Sequence, residues 1–311
     1  MDWWWPAFTK IYTTMRAKLI VTIIGLVLGH ISNAQYNVDS LVRLRNPDFI
    51  DGKVPTYFTR GHKEIALSYQ KLITDAINYH EKKYSKTFKV KLAVIDSANW
   101  LNEVYPYGFV FYEDGWIGMN TGMSYESFKK IYGLQSYFEQ LDKALVKNGI
   151  SQNQLVNSFL NFYSVHELGH YYITELSNVK PPDNWTNEFI PSYFAYDYFI
   201  NNKPKEIEPF ELFCKIDRDN YLARYTTIKD FNELYSETAL ENYVWYHSNF
   251  YFLIKNLYQC YKTDFIPTFE VGFNRTSMDN FSTTDIISFL DKKCGGQARQ
   301  WVTNLESRKQ N

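Results

Sequence analysis

The spacing of apolar residues along the chain predicts a mixed region followed by a helical one. Residues 62–84 carry apolar side chains three and four positions apart, which predicts an amphipathic helix: Ile65, Tyr69, Leu72, Ile73, Ala76 and Ile77. Residues 88–95 alternate and then become continuously apolar, as a strand does. Two further apolar runs, 107–112 and 116–120, flank the turn sequence Glu113-Asp114-Gly115 and predict a β-hairpin. From about residue 125 onward the pattern is mainly helical.

The most apolar of the predicted helices begins near residue 151. Ser151 and Gln154 form a capping-box pattern, in which each side chain accepts from the backbone of the other residue. Apolar residues and histidines then recur at helical spacing: Leu155, Phe159, Phe162, His166, His170 and Ile173. Leu168 and Tyr172 make a second side apolar, so we expect this helix to lie at the centre of the domain.

These patterns predict an α+β fold with two parts. Residues 35–150 are expected to form a small α/β N-terminal subdomain with a mixed sheet, and residues 151–311 a mainly helical C-terminal subdomain. The chain of 311 residues is long enough to bury a sizeable core. Aromatic residues make up 18%, and we interpret them as core residues rather than as a carbohydrate-binding surface.

The N-terminal segment has the pattern of a secretory signal peptide. Arg16 and Lys18 precede the apolar run 19–28, and small and polar residues follow as far as Ala34. The run has about ten apolar residues, fewer than the roughly twenty that span a bilayer. We therefore expect cleavage after Ala34, with Met15 as an alternative start, and a secreted or periplasmic protein without stable membrane insertion.

Charge and cysteine usage narrow the functional classes further. The net charge of −1 lacks the excess of positive charge that is typical of nucleic-acid-binding proteins. The three cysteines, Cys214, Cys260 and Cys294, include no C-x-x-C pair. In an oxidising compartment they allow one disulfide, whose pairing the sequence does not define, and three buried free thiols are an equal alternative.

The candidate chemistry lies in the sequence His166-Glu167-Leu168-Gly169-His170. Residues four apart share one face of a helix, so two imidazoles can bind one ion. Catalytic zinc sites use three protein ligands and leave the fourth position to water, whose proton a neighbouring carboxylate can take. We therefore expect one Zn²⁺ per chain, bound by His166 and His170, with Glu167 as the general base.

A second motif follows this helix, and it carries a family resemblance. Asn187-Glu188 with Ser192-Tyr193-Phe194 in register is similar to the Asn-Glu-Gly-Phe-Ala-Ser-Tyr-Phe of the aminopeptidase N group. With the first motif, the sequence resembles the gluzincin metallopeptidases over roughly residues 60–260, a clan that includes thermolysin-like enzymes. The resemblance implies that Glu188, separated from His170 by 17 residues, is the third zinc ligand. It also implies a zinc site between the two subdomains and peptide hydrolysis.

The sequence around Glu188 indicates how it would be presented. Residues 181–184 are turn-forming and should end the first helix. A second helix is expected to begin near Thr186 and to project Glu188 from its first turn, where the helix dipole favours a carboxylate. Pro191 departs from the family pattern and should be tolerated because it lies near the helix start. The nearest rival carboxylate, Glu175, should point away from the histidines.

The resemblance further implies a Tyr or His across the zinc that donates a hydrogen bond to the developing oxyanion. The candidates are Tyr246, His247 and Tyr243, of which family-like spacing favours Tyr246. A sheet edge should pair with the extended substrate, and the strand 116–120 is our candidate. Its Gly118-Met119-Asn120 lacks the glutamate with which the aminopeptidase N group holds a substrate amine, which argues against aminopeptidase activity.

The sequence thus predicts a secreted zinc metallopeptidase that hydrolyses a peptide or protein through a metal-bound water activated by Glu167. Two alternatives stay open. The same zinc site can serve a hydrolase of a non-peptide amide or a small molecule. The chain can also be a non-catalytic module that binds glycan or protein and keeps a vestigial metal site. Glu167 argues against the latter, because a purely structural site needs no base.

Overall fold

The computed structural model describes residues 46–96, 110–132, 135–235, 237–273 and 281–308, together with Asp39 and Val42. The predicted signal segment 1–34 and residues 107–109 of the predicted hairpin lie outside the described residues. Residues 46–311 form one compact unit, so the predicted boundary at residue 150 falls inside it. No helix in the described part of the chain is long and apolar enough to cross a membrane.

The unit combines a small sheet with many helices, which confirms the α+β class. The strands are β1 (Asp48–Ile50), β2 (Thr56–Phe58), β3 (Lys91–Ile95), β4 (Val110–Glu113) and β5 (Trp116–Asn120). The helices are α1 (Lys63–Tyr84), α2 (Tyr125–Tyr132), α3 (Gln135–Asn148), α4 (Gln152–Tyr171), α5 (Asn184–Asn202), α6 (Pro204–Asn220), α7 (Ile228–Glu233), α8 (Leu240–Tyr261), α9 (Phe265–Gly272), α10 (Thr283–Cys294) and α11 (Gln297–Glu306). A π-helical turn, Tyr172–Leu176, extends α4, and a 3₁₀ turn, Lys262–Asp264, joins α8 to α9.

The sheet is mixed, with the strand order β1-β2-β3-β5-β4. The central strands β2, β3 and β5 are parallel, and β1 and β4 run antiparallel at the two edges. The predicted hairpin is confirmed for the described residues: β4 and β5 pair around Asp114 and Gly115, whose φ angles of 47° and 78° suit a tight hairpin turn.

The predicted edge strand is wrong. β5 (Trp116–Asn120) lies between β3 and β4, and all five of its residues are buried. β5 pairs along its whole length with Lys91–Ile95 of β3 on one side, and it pairs with β4 on the other side. The strand at the sheet edge is β4, and Phe111 of β4 covers Gly118 so closely that a Cβ there would lie 2.0 Å from the ring.

Two predicted helices are confirmed, and each packs as its pattern indicates. α1 buries Tyr69, Leu72, Ile73, Ala76 and Ile77 from the predicted face, although Ile65 at its first turn is exposed. α4 begins with both capping-box hydrogen bonds, Gln154 N–H to Ser151 Oγ at 3.2 Å and Ser151 N–H to Gln154 Oε1 at 2.7 Å. α4 packs against α5, α6 and β4, which makes it central.

Aromatic side chains fill the interior of this unit. Phe162 of α4 stacks on Phe210 of α6 with ring centroids 4.2 Å apart, and Tyr193 of α5 stacks on Phe265 of α9 at 4.0 Å. Of the large hydrophobic side chains that are exposed among the described residues, Phe49 alone is aromatic. The aromatic content therefore belongs to the core, as interpreted from the sequence.

Candidate metal centre

The last turns of α4 bring two imidazoles together. His166 and His170 lie one helical turn apart, and their rings meet edge to face with centroids 4.7 Å apart. The two Nε2 atoms are 3.0 Å apart. His166 is buried and His170 is half-buried, so the pair opens towards a less enclosed side. The predicted i, i+4 arrangement is therefore present.

Glu188 of α5 completes a group of three ligand atoms. Its Oε2 lies 3.2 Å from His166 Nε2 and 3.5 Å from His170 Nε2, and the side chain is buried. The helix that carries it begins at Asn184, where Asp183 Oδ1 accepts from the N–H of Thr186 at 3.2 Å. His166, His170 and Glu188 form a group that could hold a metal ion.

The geometry of this group fits a tetrahedral cation. Two ligands bound about 2.05 Å from a tetrahedral ion lie about 3.3 Å from one another. The separations of 3.0, 3.2 and 3.5 Å among the two Nε2 atoms and Glu188 Oε2 bracket that distance. All three atoms can direct a lone pair at the same point. Two imidazoles and one carboxylate are also one of the ligand sets found in catalytic zinc sites.

Gly169 and Pro191 allow α4 and α5 to approach closely enough for this convergence. A Cβ at position 169 would lie 2.7 Å from Pro191 Cα and 3.1 Å from its carbonyl oxygen. The expected reason for tolerating Pro191 is wrong, because α5 starts at Asn184 and Pro191 lies in its interior. Pro191 has no amide N–H to pair with the carbonyl of Asn187, so the helix lacks one backbone hydrogen bond at this point, where α5 packs closely on Gly169.

Two hydroxyl groups contact the atoms of His166 and Glu188 that face away from the candidate metal position. Ser192 Oγ lies 3.0 Å from His166 Nδ1, and a proton shared there leaves Nε2 free to bind a cation. The hydroxyl of Tyr235 donates to Glu188 Oε1, so that Oε2 faces the histidines. Sequence reasoning quoted Ser192 only as part of a motif and missed Tyr235, which follows α7 and bears no local signal of its role.

Glu167 lies beside this group, on the side of the sheet edge. Its carboxylate lies close to the backbone of Tyr112 in β4, which favours the ionised form. Loss of hydration raises the pKa of Glu167 to about 7, with a further contribution from the charge of Glu188, whereas His170 acts in the opposite direction. A carboxylate with a pKa near 7 can both accept and return a proton at neutral pH.

The protonation states of His166 and Glu188 suit a cation. Burial lowers the pKa of His166 to about 4, so its ring is neutral at pH 7. Burial acts against ionisation of Glu188, but the charge of His170 and hydrogen bonds from both histidines hold the pKa of Glu188 well below its usual range. Neutral imidazole and ionised carboxylate are the forms that bind metals. Burial acts to lower the pKa of His170, but the charge of Glu188 and a hydrogen bond to it raise that pKa above its usual value, so His170 must release a proton when a metal ion binds.

The three candidates for the oxyanion donor have different surroundings. His247 Nε2 lies 3.6 Å from Glu188 Oε2, and its two ring nitrogens have no hydrogen-bond partner among the described residues. Tyr243 packs on His247 with ring centroids 4.4 Å apart. The hydroxyl of Tyr246 instead donates to the carbonyl of Thr227 at 2.9 Å. The structure thus brings His247 and Tyr243 to the candidate metal ligands and directs Tyr246 towards the start of α7.

The rival carboxylate Glu175 lies apart from the ligands, as expected. It belongs to the π-helical turn after α4, and its Oε1 is 3.4 Å from the hydroxyl of Tyr112. Among the described residues, it does not belong to the group that could hold a metal ion.

No protein-family model matches the chain, and no curated protein matches its sequence. Its function must therefore be inferred from the chemistry of this site.

Proposed function

We propose that this protein is a zinc-dependent metallopeptidase. The observation that carries the proposal is the convergence of His166 Nε2, His170 Nε2 and Glu188 Oε2, within 3.0–3.5 Å of one another. A purely structural zinc site normally has four protein ligands, whereas three leave one position for a reacting molecule. Glu167 next to this group supplies the base that such a reaction needs.

The ligand set favours zinc over other common metals. Mg²⁺ and Ca²⁺ prefer all-oxygen sites, whereas two buried imidazoles with one carboxylate are typical of catalytic Zn²⁺. Zinc bound there would lower the pKa of a bound water and polarise the substrate carbonyl. His166, His170 and Glu188 would hold the ion, with one ion per chain.

Glu167 is the residue proposed to move protons. With a pKa of about 7 its carboxylate can accept a proton from the attacking water and pass it to the leaving amine. The backbone of Tyr112 lies close to this carboxylate and favours its ionised form. This contact also couples the base to β4, the strand along which a substrate would lie.

We place His247 ahead of Tyr246 as the donor to the oxyanion. The single proton of the Tyr246 hydroxyl already points to the Thr227 carbonyl, whereas both nitrogens of His247 are uncommitted among the described residues. Burial lowers the pKa of His247 to about 3, so the ring is neutral and retains one N–H to donate. A donor directed at developing charge stabilises the transition state more than the substrate.

The edge strand β4 supports a peptide as the substrate. In the described part of the chain β4 pairs with β5 on one side and with no strand on the other. An extended peptide can add to such an edge by main-chain hydrogen bonds. β4 also packs against α4, which places this edge next to Glu167.

Metal analysis and a peptide library test the proposal together. The purified protein should contain about one zinc per chain, and His166→Ala and Glu188→Ala should lose most of it. If both variants retained their zinc, these residues would not be the zinc ligands. A mixed-sequence peptide library should be cleaved by the zinc-loaded protein only. Zinc binding with cleavage of small amides but of no peptide would favour the small-molecule hydrolase, and zinc binding without any hydrolysis would favour the binding module.

A further inference from the structure

The three cysteines lie in two separate parts of the fold. Cys214 is buried in α6, where its neighbours include Ser248 and Asp217. Cys260 is half-buried in the last turn of α8, and Cys294 is the buried last residue of α10. The latter two therefore sit at the ends of two helices that contact each other.

The contact between α8 and α10 is antiparallel at these ends. The hydroxyl of Tyr261 lies 3.3 Å from the carbonyl oxygen of Leu290. One turn earlier in α8, the carbonyl oxygen of Leu257 is 4.0 Å from the sulfur of Cys294. In the sequence Cys260 lies between these two contact residues, so it faces the same packed helix ends as Cys294. Cys260 is also near enough to Cys294 to contribute to the raised pKa of the Cys294 thiol.

We propose that Cys260 and Cys294 form a disulfide bond when the protein meets a disulfide oxidant, and that Cys214 stays a free thiol. A disulfide requires Cα atoms within about 7 Å and side chains that face each other. Cys260 and Cys294 lie at two helix ends that pack against each other through contacts of 3.3 and 4.0 Å, which brings their side chains to one interface. Cys214 lies in α6, where it is buried away from solvent oxidants. The bond does not depend on the metal centre or on catalysis.

The exposure of the two thiols indicates the order of the steps. Cys260 is accessible, and its thiolate can attack one sulfur of glutathione disulfide, forming a mixed disulfide and releasing one glutathione thiolate. Burial, with a contribution from Cys260, raises the pKa of Cys294 to about 12, so Cys294 is the poorer first nucleophile. It then loses its proton to water and attacks the Cys260 sulfur, releasing the second glutathione. Two cysteines are oxidised and one glutathione disulfide is reduced to two thiols.

The bond would connect the C-terminal helices to the helix that faces the metal ligands. It closes a loop of about 35 residues and ties α10 to α8, whose first half carries His247. Closing a loop of this length restricts the unfolded chain more than the folded one. The oxidised protein should therefore be more resistant to heat than the reduced protein.

The test uses the full chain equilibrated with glutathione disulfide and then freed of it. The monomer should lose about 2 Da, and one thiol should react with a thiol reagent in denaturant. Peptide mapping without reductant should join the peptides of Cys260 and Cys294. Oxidation should raise Tm by roughly 5–10 °C. Cys260→Ser and Cys294→Ser should lose both the cross-link and the gain in Tm, and the matched control Cys214→Ser should keep both.

Three outcomes would overturn the pairing. Three free thiols after equilibration would show that the bond does not form. A bond that includes Cys214, or dimers linked between chains, would show that another pair is preferred. A mixed disulfide of glutathione on Cys260 that is never resolved would show that Cys294 cannot approach, and it is recognised by a mass increase of about 305 Da for one bound glutathione.

Discussion

Gly169 of α4 faces the backbone of Pro191 of α5, and no side chain fits between them. A Cβ on residue 169 would approach Pro191 Cα to 2.7 Å and its carbonyl oxygen to 3.1 Å. Gly169 lies between the two histidine ligands in the sequence, and Glu188 lies one turn before Pro191. The distance between the two ligand-bearing helices therefore depends on the absence of a side chain at position 169.

Gly169→Ala should weaken metal binding although alanine is the better helix former. Alanine favours the helix by about 1 kcal/mol over glycine, but the new methyl group meets backbone atoms that cannot rotate away. α5 must then move, and Glu188 moves with it. Zinc affinity measured by competition with a chelator should fall at least about tenfold.

Gly272→Ala is the matched control for this change. A Cβ there also meets a neighbour closely, at 2.8 Å, but the neighbour is the ring of Phe289, which can shift. Its zinc affinity should equal that of the wild type. Wild-type affinity in Gly169→Ala would mean that the two helices do not depend on this contact.

Tyr235→Phe should lower zinc affinity about 10–100-fold without removing any ligand. The variant loses the hydroxyl that donates to Glu188 Oε1, so the carboxylate can rotate away from the histidines. The control is Tyr261→Phe, at the opposite end of α8 from the metal site. It removes a hydroxyl that donates to the backbone carbonyls of Phe289 and Leu290 in α10, and it should bind zinc normally. Equal affinities in the two variants would assign no positioning role to Tyr235.

Glu167→Gln should bind zinc and fold as the wild type does, but it should be nearly inactive. The amide keeps the shape of the side chain and cannot take a proton, and losing a general base commonly costs about 10²–10⁴ in kcat. Zinc content and thermal stability serve as controls in the same preparation. Full activity on a substrate that the wild type cleaves would reassign the base.

His247→Ala should lower kcat by about 10²–10³, whereas Tyr246→Phe should stay within about threefold of the wild type. His247 faces Glu188, and the hydroxyl of Tyr246 is bound to the Thr227 carbonyl. Tyr243→Phe tests the third candidate. The sequence-based ranking would be restored if Tyr246→Phe lost kcat and His247→Ala, with its zinc intact, did not.

Asp217 should make stability depend on pH without involving the metal. Burial raises its pKa to about 7, although the neighbouring Ser248 and Tyr137 side chains act to lower it, whereas an unfolded aspartate titrates near 4. The folded protein therefore holds a proton that the unfolded chain releases, and the free energy of unfolding should fall as the pH rises from about 4 to 7. One pKa unit corresponds to about 1.4 kcal/mol, so the loss is on the order of a few kcal/mol.

Urea unfolding of the metal-free protein at pH 5 and pH 8 measures this effect. Asp217→Asn should reduce the difference between the two pH values, and Asp48→Asn, at a more exposed carboxylate, should not change it. An unchanged difference in Asp217→Asn would show that other groups cause the pH dependence.

The sequence by itself determined the features that depend on neighbours within one element. The positions of His166 and His170 on one face follow from helical periodicity. The capping box at Ser151 and the turn at Asp114-Gly115 depend on interactions among residues a few positions apart, so they too could be predicted before any packing was known.

The tertiary structure decided which elements meet and how closely. Alternation of apolar residues does not show which strand of a hairpin pairs with the rest of a sheet, so β5 could be taken for the edge until its pairing with β3 was seen. Gly169 contacts Pro191, and Tyr235 and His247 approach Glu188, each from a different element. Such contacts between elements depend on the packing of whole helices and have no local period, so spacing alone could not show how near Tyr246 and His247 come to Glu188.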